Sequence, residues 1–139
     1  MISEKKQKIY IGIFCSIAII IMIFLGVRNN ISGKKERDKY GKYTVGILTG
    51  WNIPVKQSAI VIYYKYSISS AIDNVYENKP YYMPSSFNIH DINTEGGKYI
   101  VKFSSKDPDN AELLLELGEV PDTIAYPLYF SSCDTLPKW

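Results

Sequence analysis

The chain has few of the residues that metal sites and nucleophilic enzymes use. It contains one histidine, His90, and two cysteines, Cys15 and Cys133. A zinc site needs three or four ligands, which one histidine and two distant cysteines do not supply. Because Cys15 lies inside a long apolar segment and Cys133 lies near the C-terminus, a disulfide framework is also excluded. We therefore expect no metal and no cofactor.

The chain also lacks the basic surplus that nucleic-acid binding requires. Residues 1–39 carry eight basic and three acidic side chains, and the remainder carries eight basic and eleven acidic side chains. The basic charge thus lies beside the apolar segment, where it attracts anionic lipid headgroups. The mildly acidic remainder argues against a nucleic-acid partner, because phosphates must be neutralised by a basic surface.

Residues 9–27 contain no charged side chain, and the run 17–25 within them is almost wholly aliphatic. As a helix they would extend about 28 Å, close to the hydrocarbon thickness of a bilayer. Lys8 and Arg28 bracket the segment and their side chains can reach the headgroups. We predict a transmembrane helix at 9–27, which follows a basic tail at 1–8 and makes the lipid bilayer the first partner.

Three alternatives explain the apolar segment less well than a single-pass anchor. A cleaved signal peptide fits poorly, because Leu25-Gly26-Val27-Arg28 offers no cleavage site with small residues. A lipoprotein signal would place the apolar run before Cys15, whereas most of it follows. A buried core helix would have a polar face. The basic residues in the two flanks slightly favour a cytoplasmic domain.

Residues 28–42 are polar, contain two glycines and predict a juxtamembrane linker, with at most a helical turn continuing the anchor. After them, strand-forming residues dominate. We predict strands at 43–48 and 59–68, a segment at 72–76 that pairs back, and an edge strand at 81–87 interrupted by Pro84.

Gly96-Gly97 predicts a turn before a strand at 98–104, and Asp107-Pro108-Asp109-Asn110 predicts the next turn. Residues 111–117 fit either a last strand or a helical turn. The segment 126–139 is predicted to be an irregular tail. The fold class expected is an N-terminal transmembrane α-helix plus a small mainly-β domain at 43–125, an antiparallel barrel or sandwich of about four to six strands.

Three segments of the sequence resemble those of a known family. They are Tyr-Lys-Tyr at 64–66, the segment 97–115 with Pro-Asp-Asn in its turn, and Val-Pro-Asp at 120–122. The chain resembles a family of small bacterial membrane-anchored proteins of unknown function. Ser69-Ser70-Ala71 replaces the Asn-Gly hairpin turn of that family, and the end at 136–139 keeps only part of its Pro/Gly-rich segment. The resemblance implies the fold and carries no activity.

The remaining candidates for chemistry are weak. His90 precedes Asp91, which could orient a general base, but a polar loop explains both residues. Cys133 has an acidic neighbour that raises a thiol pKa. Gly96-Gly97 lacks the spacing of a phosphate loop, and residues 107–110 lack the calcium-binding pattern. We expect no catalytic residue and a protein that is not an enzyme.

The many tyrosines are the feature that could mark a binding surface. The alternation of side chains along the strands places about half of the tyrosines in the core. Codon bias is a second explanation for their high number. The candidates for partner contact are Tyr63, Tyr81 and Tyr82, of which the last two follow Pro80. The function expected is a membrane-tethered, non-enzymatic β-module that binds a protein or an envelope component. The alternative is an immunity-type protein that neutralises a toxin at the membrane.

Overall fold

The computed structural model describes residues 3–56, 58–69, 74–124, 126 and 133–138. The chain divides into two compact units, Met1–Glu36 and Arg37–Trp139. The elements are helix α1 (Glu4–Tyr40), β1 (Gly41–Asn52), β2 (Val61–Ser67), β3 (Val75–Tyr82), a 3-10 turn (Ile89–Asp91), β4 (Lys98–Ser104) and β5 (Ala111–Glu119).

Helix α1 contains the predicted apolar segment. At its start, the backbone N–H groups of Lys6 and Gln7 donate to the carbonyl of Ser3 at 2.8 and 3.1 Å. By length and composition it is the one helix of the described residues that could cross a membrane, and its most apolar stretch has no buried residue. A helix that buries nothing cannot be the core helix of a soluble domain, so that alternative is excluded.

The helix continues to Tyr40 through residues expected to form a linker. Lys, Glu and Arg, which dominate residues 34–37, are strong helix formers, and extending a nucleated helix costs little. The polarity of the segment was therefore a poor guide to its structure. The helix ends at Tyr40, and a Cβ atom on the following residue, Gly41, would lie 2.2 Å from the carbonyl oxygen of Arg37.

The last helical turn belongs to the β unit, which it contacts through ion pairs and hydrogen bonds. Arg37 Nη1 donates to Asn110 Oδ1 at 2.5 Å, and Nη2 lies 3.5 Å from a carboxylate oxygen of Glu112. Lys102 Nζ donates to Asp38 Oδ1 at 3.0 Å. Because of these contacts, the domain begins at Arg37. The start predicted from the sequence was residue 43.

The strands form one antiparallel sheet in the order β3-β2-β1-β4-β5. The predicted fold class, a helix plus a small mainly-β domain, is confirmed. The expected barrel or sandwich is wrong in detail, because the described strands make a single open sheet. The sheet is nevertheless strongly curved, since Lys79 on edge strand β3 lies 2.8 Å from Asp109 in the turn between β4 and β5. In a flat sheet, three to four strand spacings of about 4.8 Å would separate them.

Most predicted strands are confirmed, and β3 is the exception. Strands β2 and β4 lie where alternation placed them, and residues 111–117 are resolved as part of strand β5. The predicted segments 72–76 and 81–87 are replaced by one strand, β3, although residues 70–73 lie outside the described part of the chain. Pro80 lies inside β3, and the strand is at an edge of the sheet as expected, where a missing N–H is tolerated.

One face of the sheet holds a tyrosine-rich core, which we call the tyrosine core. The ring of Tyr66 stacks near Tyr64, Tyr76 and Phe103, with centroids 5.9, 5.2 and 6.3 Å away. Gly46 lies beneath these rings, and a Cβ there would be 2.6 Å from a methyl carbon of Val101. The buried members of the core are Leu48, Ile62, Tyr64, Tyr66, Tyr99, Val101, Phe103, Leu113 and Leu115.

The other face carries a smaller apolar cluster. Val45, Ile100 and Val120 are buried there, and Ile124 and Tyr126 pack against them.

The C-terminal tail, predicted to be irregular at 126–139, returns to the sheet at Cys133, whose backbone exchanges hydrogen bonds of 2.8 and 3.0 Å with Tyr43. Residues 127–132 and 139 lie outside the described residues.

Candidate functional site

His90 lies in the 3-10 turn between β3 and β4 and is exposed. Its backbone N–H donates to the side-chain oxygen of Asn88 at 3.1 Å, which caps the turn. Asp91 is exposed beside it. The pair occupies a solvent-facing turn whose hydrogen bonds explain its sequence, so the geometry assembles no acid–base site around the imidazole.

Cys133 is partly buried, and its thiol lies 3.0 Å from the carbonyl oxygen of Thr135. Burial raises the pKa of this thiol, and although the contact with Thr135 acts in the opposite direction, the nearby Asp134 raises the pKa further. Because the thiolate is the nucleophilic form, this environment disfavours covalent catalysis.

Residues 107–110 form a turn between β4 and β5. The side-chain oxygen of Ser104 accepts hydrogen bonds from the backbone N–H groups of Lys106 and Asp107, and Asn110 N–H donates to Asp107 O at 2.9 Å. The carboxylate of Asp109 pairs with Lys79. Among the residues that the structure describes, no three His, Cys, Asp or Glu side chains are grouped to hold a metal ion.

The three tyrosines predicted to contact a partner lie in different environments. Tyr81 packs against the tyrosine core and is partly buried, and burial raises its pKa. Tyr63 is half-buried and pairs with Pro80 across the β2–β3 ladder. Tyr82 is 59% exposed. The structure therefore brings Tyr63 and Tyr82 to one face near an edge of the sheet, since their ladder positions differ by two residues, and directs Tyr81 to the other face.

A group of three exposed apolar side chains of the β unit was missed by the sequence reasoning. They lie in residues 51–56, which we call the hairpin tip, at the turn between β1 and β2. Trp51 is 45% exposed, Ile53 51% and Val55 104%. None of the three belongs to either hydrophobic cluster. The sequence contains a sign of this exposed group. The apolar residues Ile53 and Val55 flank Pro54, and apolar residues are unusual in a turn.

The hairpin tip extends beyond the rest of the sheet. Pairing between β1 and β4 ends at Ile47, whereas β1 continues to Asn52 alongside β2 alone. A bulge between Leu48 and Gly50 shifts the register. Gly50 has φ of 153°, which a side-chain-bearing residue rarely adopts. The bulge turns Trp51 to the same face as its ladder partner Ile62.

Tyr82 lies at the same end of the sheet as the hairpin tip. Both Asn52 and Tyr82 pair with Val61, one on each side of β2. The backbone N–H of Met83 donates to Ile60 O at 2.9 Å, which continues the ladder to this end. Trp51 and Tyr82 thus present two exposed aromatic rings on opposite faces of one sheet end.

The hairpin tip contains one charged residue, Lys56. Acidic residues lie at the same end of the sheet, because Gly96, which follows Glu95, donates its N–H to Leu48 O at 2.8 Å, and Glu119 pairs with Tyr99. The exposed apolar side chains, and not the charge, therefore distinguish the tip.

Comparison with models of protein families, with curated proteins and with solved structures yields no match to this chain.

Proposed function

We propose that the chain is a single-pass membrane protein whose β unit is a non-enzymatic module that binds a protein or an envelope component. The observation that carries this proposal is the hairpin tip, where Trp51, Ile53 and Val55 are exposed together. Exposed apolar side chains grouped on a soluble domain are characteristic of interaction sites. Tyr82, a partner-binding candidate from the sequence, lies at the same end of the sheet.

The anchor supports the binding role because it raises the local concentration of the module at the membrane. A module tethered to a bilayer meets membrane components at a high effective concentration, so a small contact area suffices. A cytoplasmic domain is favoured because Arg28, Lys34 and Lys35 follow the apolar segment, together with further basic residues, and outnumber Lys5, Lys6 and Lys8 before it.

The binding role is tested by cross-linking in native membranes. A photoreactive amino acid at Val55 of the full chain should give a defined adduct on irradiation. The matched control carries the same group at Lys106, an exposed position in the turn at the opposite end of the sheet. Equal adducts, or none, at the two positions would reject the hairpin tip as a binding site.

A second candidate function is immunity-type neutralisation of a toxin at the membrane. The exposed acidic side chains of edge strand β5, Glu116 and Glu119, favour it because they would suit a basic partner. Co-expression with the product of a neighbouring gene tests it. If that product is toxic, the native chain should restore growth and a Glu116→Lys, Glu119→Lys variant should not.

A further inference from the structure

Strand β1 projects beyond its neighbour β4, and one side of the projecting part has no partner strand. Beyond Leu48, no described residue pairs with the side of β1 that faces away from β2. Tyr63 O faces β1, where it accepts a hydrogen bond from Thr49 Oγ1 at 3.2 Å. Because successive residues of a strand direct their backbone groups to opposite sides, those of Ile62 face β3. Trp51, the ladder partner of Ile62, therefore directs its N–H and C=O to the open side.

The exposed apolar side chains lie on and beside this open segment. Trp51 belongs to it, and Ile53 and Val55 follow it toward the turn, where all three gain by leaving water. The area of three side chains falls short of the roughly 800 Å² per partner that a stable soluble complex buries. A contact of this size needs a high local concentration of the partner, which copies of one chain anchored in the same bilayer have.

Two opposite charges lie at the two ends of the projecting part. Lys56 and Glu95 are exposed, and neither forms an ion pair with another described residue. Glu95 lies where the projection begins, since the adjacent Gly96 donates its N–H to Leu48 O at 2.8 Å. Lys56 lies in the turn where the projection ends. A basic group at one end and an acidic group at the other complement their own copy when two hairpins lie side by side in opposite directions.

We propose that the hairpin tip binds the hairpin tip of a second copy of the chain, with the two projecting parts side by side and antiparallel. This inference rests on the proposed function, because it names the bound protein as a second copy. A two-fold axis then passes near Trp51, and each Lys56 lies opposite Glu95 of the other copy. The backbone groups of Trp51 face their counterparts across the axis, and the apolar side chains leave water together. A two-fold contact closes on itself, so it forms a pair and not a chain of copies.

Cysteine cross-linking of the full chain in membranes tests the two-fold contact. The background carries Cys15→Ser and Cys133→Ser, which removes both native thiols. Asn52→Cys places a thiol beside the axis, so a short bis-maleimide should link two copies of the chain. Ser105→Cys, an exposed position at the opposite end of the sheet, is the matched control and should give severalfold less dimer. Equal yields at the two positions would overturn the proposal.

Charge reversal tests the pairing of Lys56 with Glu95. In the Asn52→Cys background, Lys56→Glu alone or Glu95→Lys alone places like charges opposite each other at both contacts, and each should lower the dimer yield severalfold. A pair with one copy of each variant has opposite charges at both contacts again. Dimers from a mixture of the two variants should therefore be mainly mixed, which a tag on one variant shows. Circular dichroism checks that each variant keeps its strand content. Single variants that cross-link as well as their parent, or a mixture without a preference for mixed dimers, would reject the arrangement.

Failure of this inference is distinguishable from failure of the proposed function. If the photoreactive group at Val55 forms a defined adduct with a different protein while Asn52→Cys gives no more dimer than Ser105→Cys, the tip binds that protein and the second copy is rejected. If neither experiment gives a specific product, the binding role at the tip is rejected with it. An adduct with the mass of two chains, together with a charge-dependent dimer, supports the second copy.

Discussion

At the scale of residues, the tyrosines are the feature whose role changes most between sequence and structure. Tyr64 and Tyr66 are fully buried and pack in the tyrosine core, where Tyr66 OH donates to the carbonyl oxygen of Pro108 at 2.5 Å. Burial raises the pKa of both side chains, and for Tyr66 the neighbouring Tyr64 raises it further. These phenols therefore act through packing, and the core depends on their staying protonated.

That dependence predicts a loss of stability in alkali. Unfolded tyrosines titrate near a pKa of about 10, while the raised folded-state pKa keeps Tyr64 and Tyr66 protonated to higher pH. The unfolded state then binds fewer protons than the folded state, so stability falls as the pH rises above about 10. We expect urea unfolding midpoints of the full chain in micelles to be flat below that pH and to fall above it. Tyr66→Phe should flatten the fall, whereas Tyr82→Phe at an exposed position should leave it unchanged.

At the scale of elements, the strands were predicted correctly wherever the alternation of apolar residues and the turn-forming residues indicate the same strand boundaries. Strand β4 and its turns were predicted because Gly96-Gly97 and Asp107–Asn110 bound a segment of alternating residues. Strand β3 was predicted poorly because its interior contains Pro80 and a bulge, where Lys79 pairs with Tyr64 but Tyr76 pairs with Tyr66. Both irregularities are tolerated at a sheet edge, and that position is a tertiary fact that local sequence does not encode.

The bulge in β3 gives a prediction about Asn78. This residue has φ of 52°, in the left-handed region that asparagine and glycine tolerate and β-branched residues do not. Asn78→Val should lower the free energy of unfolding by about 1–2 kcal/mol, whereas Asn78→Gly should be close to neutral. Urea unfolding measures both. A valine variant as stable as the native chain would mean that residue 78 does not adopt this conformation.

At the scale of the whole molecule, the chain contains two units. The polar composition of residues 28–42 predicted a boundary between them that differs from the one in the structure. The polar residues after the anchor predicted a linker, but the last helical turn packs on the domain through Arg37 and Asp38. Sequence reasoning found the long apolar helix, because a long charge-free segment needs no tertiary information. It missed the hairpin tip, because exposure of Trp51, Ile53 and Val55 depends on how far β1 extends beyond β4. The family resemblance, the membrane side and the partner stay predictions.

The boundary predicts how much of the chain folds alone. A polypeptide of residues 37–139 should give a β-rich circular dichroism spectrum. A polypeptide of residues 41–139 should be less stable by about 1–3 kcal/mol, since it loses the charged hydrogen bond from Arg37 to Asn110 and the ion pair of Asp38 with Lys102. Equal unfolding midpoints would show that the helical turn contributes nothing. A helical or disordered spectrum for both would reject an autonomous domain.

Cys133 makes the membrane side testable in intact cells. We expect a membrane-impermeant maleimide to leave the native chain unlabelled in intact cells and to label Cys133 once the membrane is opened. Since burial raises the pKa of this thiol, labelling should be slow at neutral pH and faster in mild alkali. Cys133→Ser identifies the signal, because Cys15 lies within the apolar segment. Labelling in intact cells would place the domain outside.

Confinement to a membrane would bring many copies of the sheet together in two dimensions, and the edge strands are suited to that crowding. Pro80 removes a hydrogen-bond donor from β3, and the bulge near Asn78 interrupts its ladder. On the opposite edge, β5 carries the exposed Glu116 and Glu119, which would meet their counterparts in another copy. Broken ladders and like charges both oppose the joining of sheets edge to edge. Both features would therefore allow a high surface density without the domains polymerising into a continuous sheet.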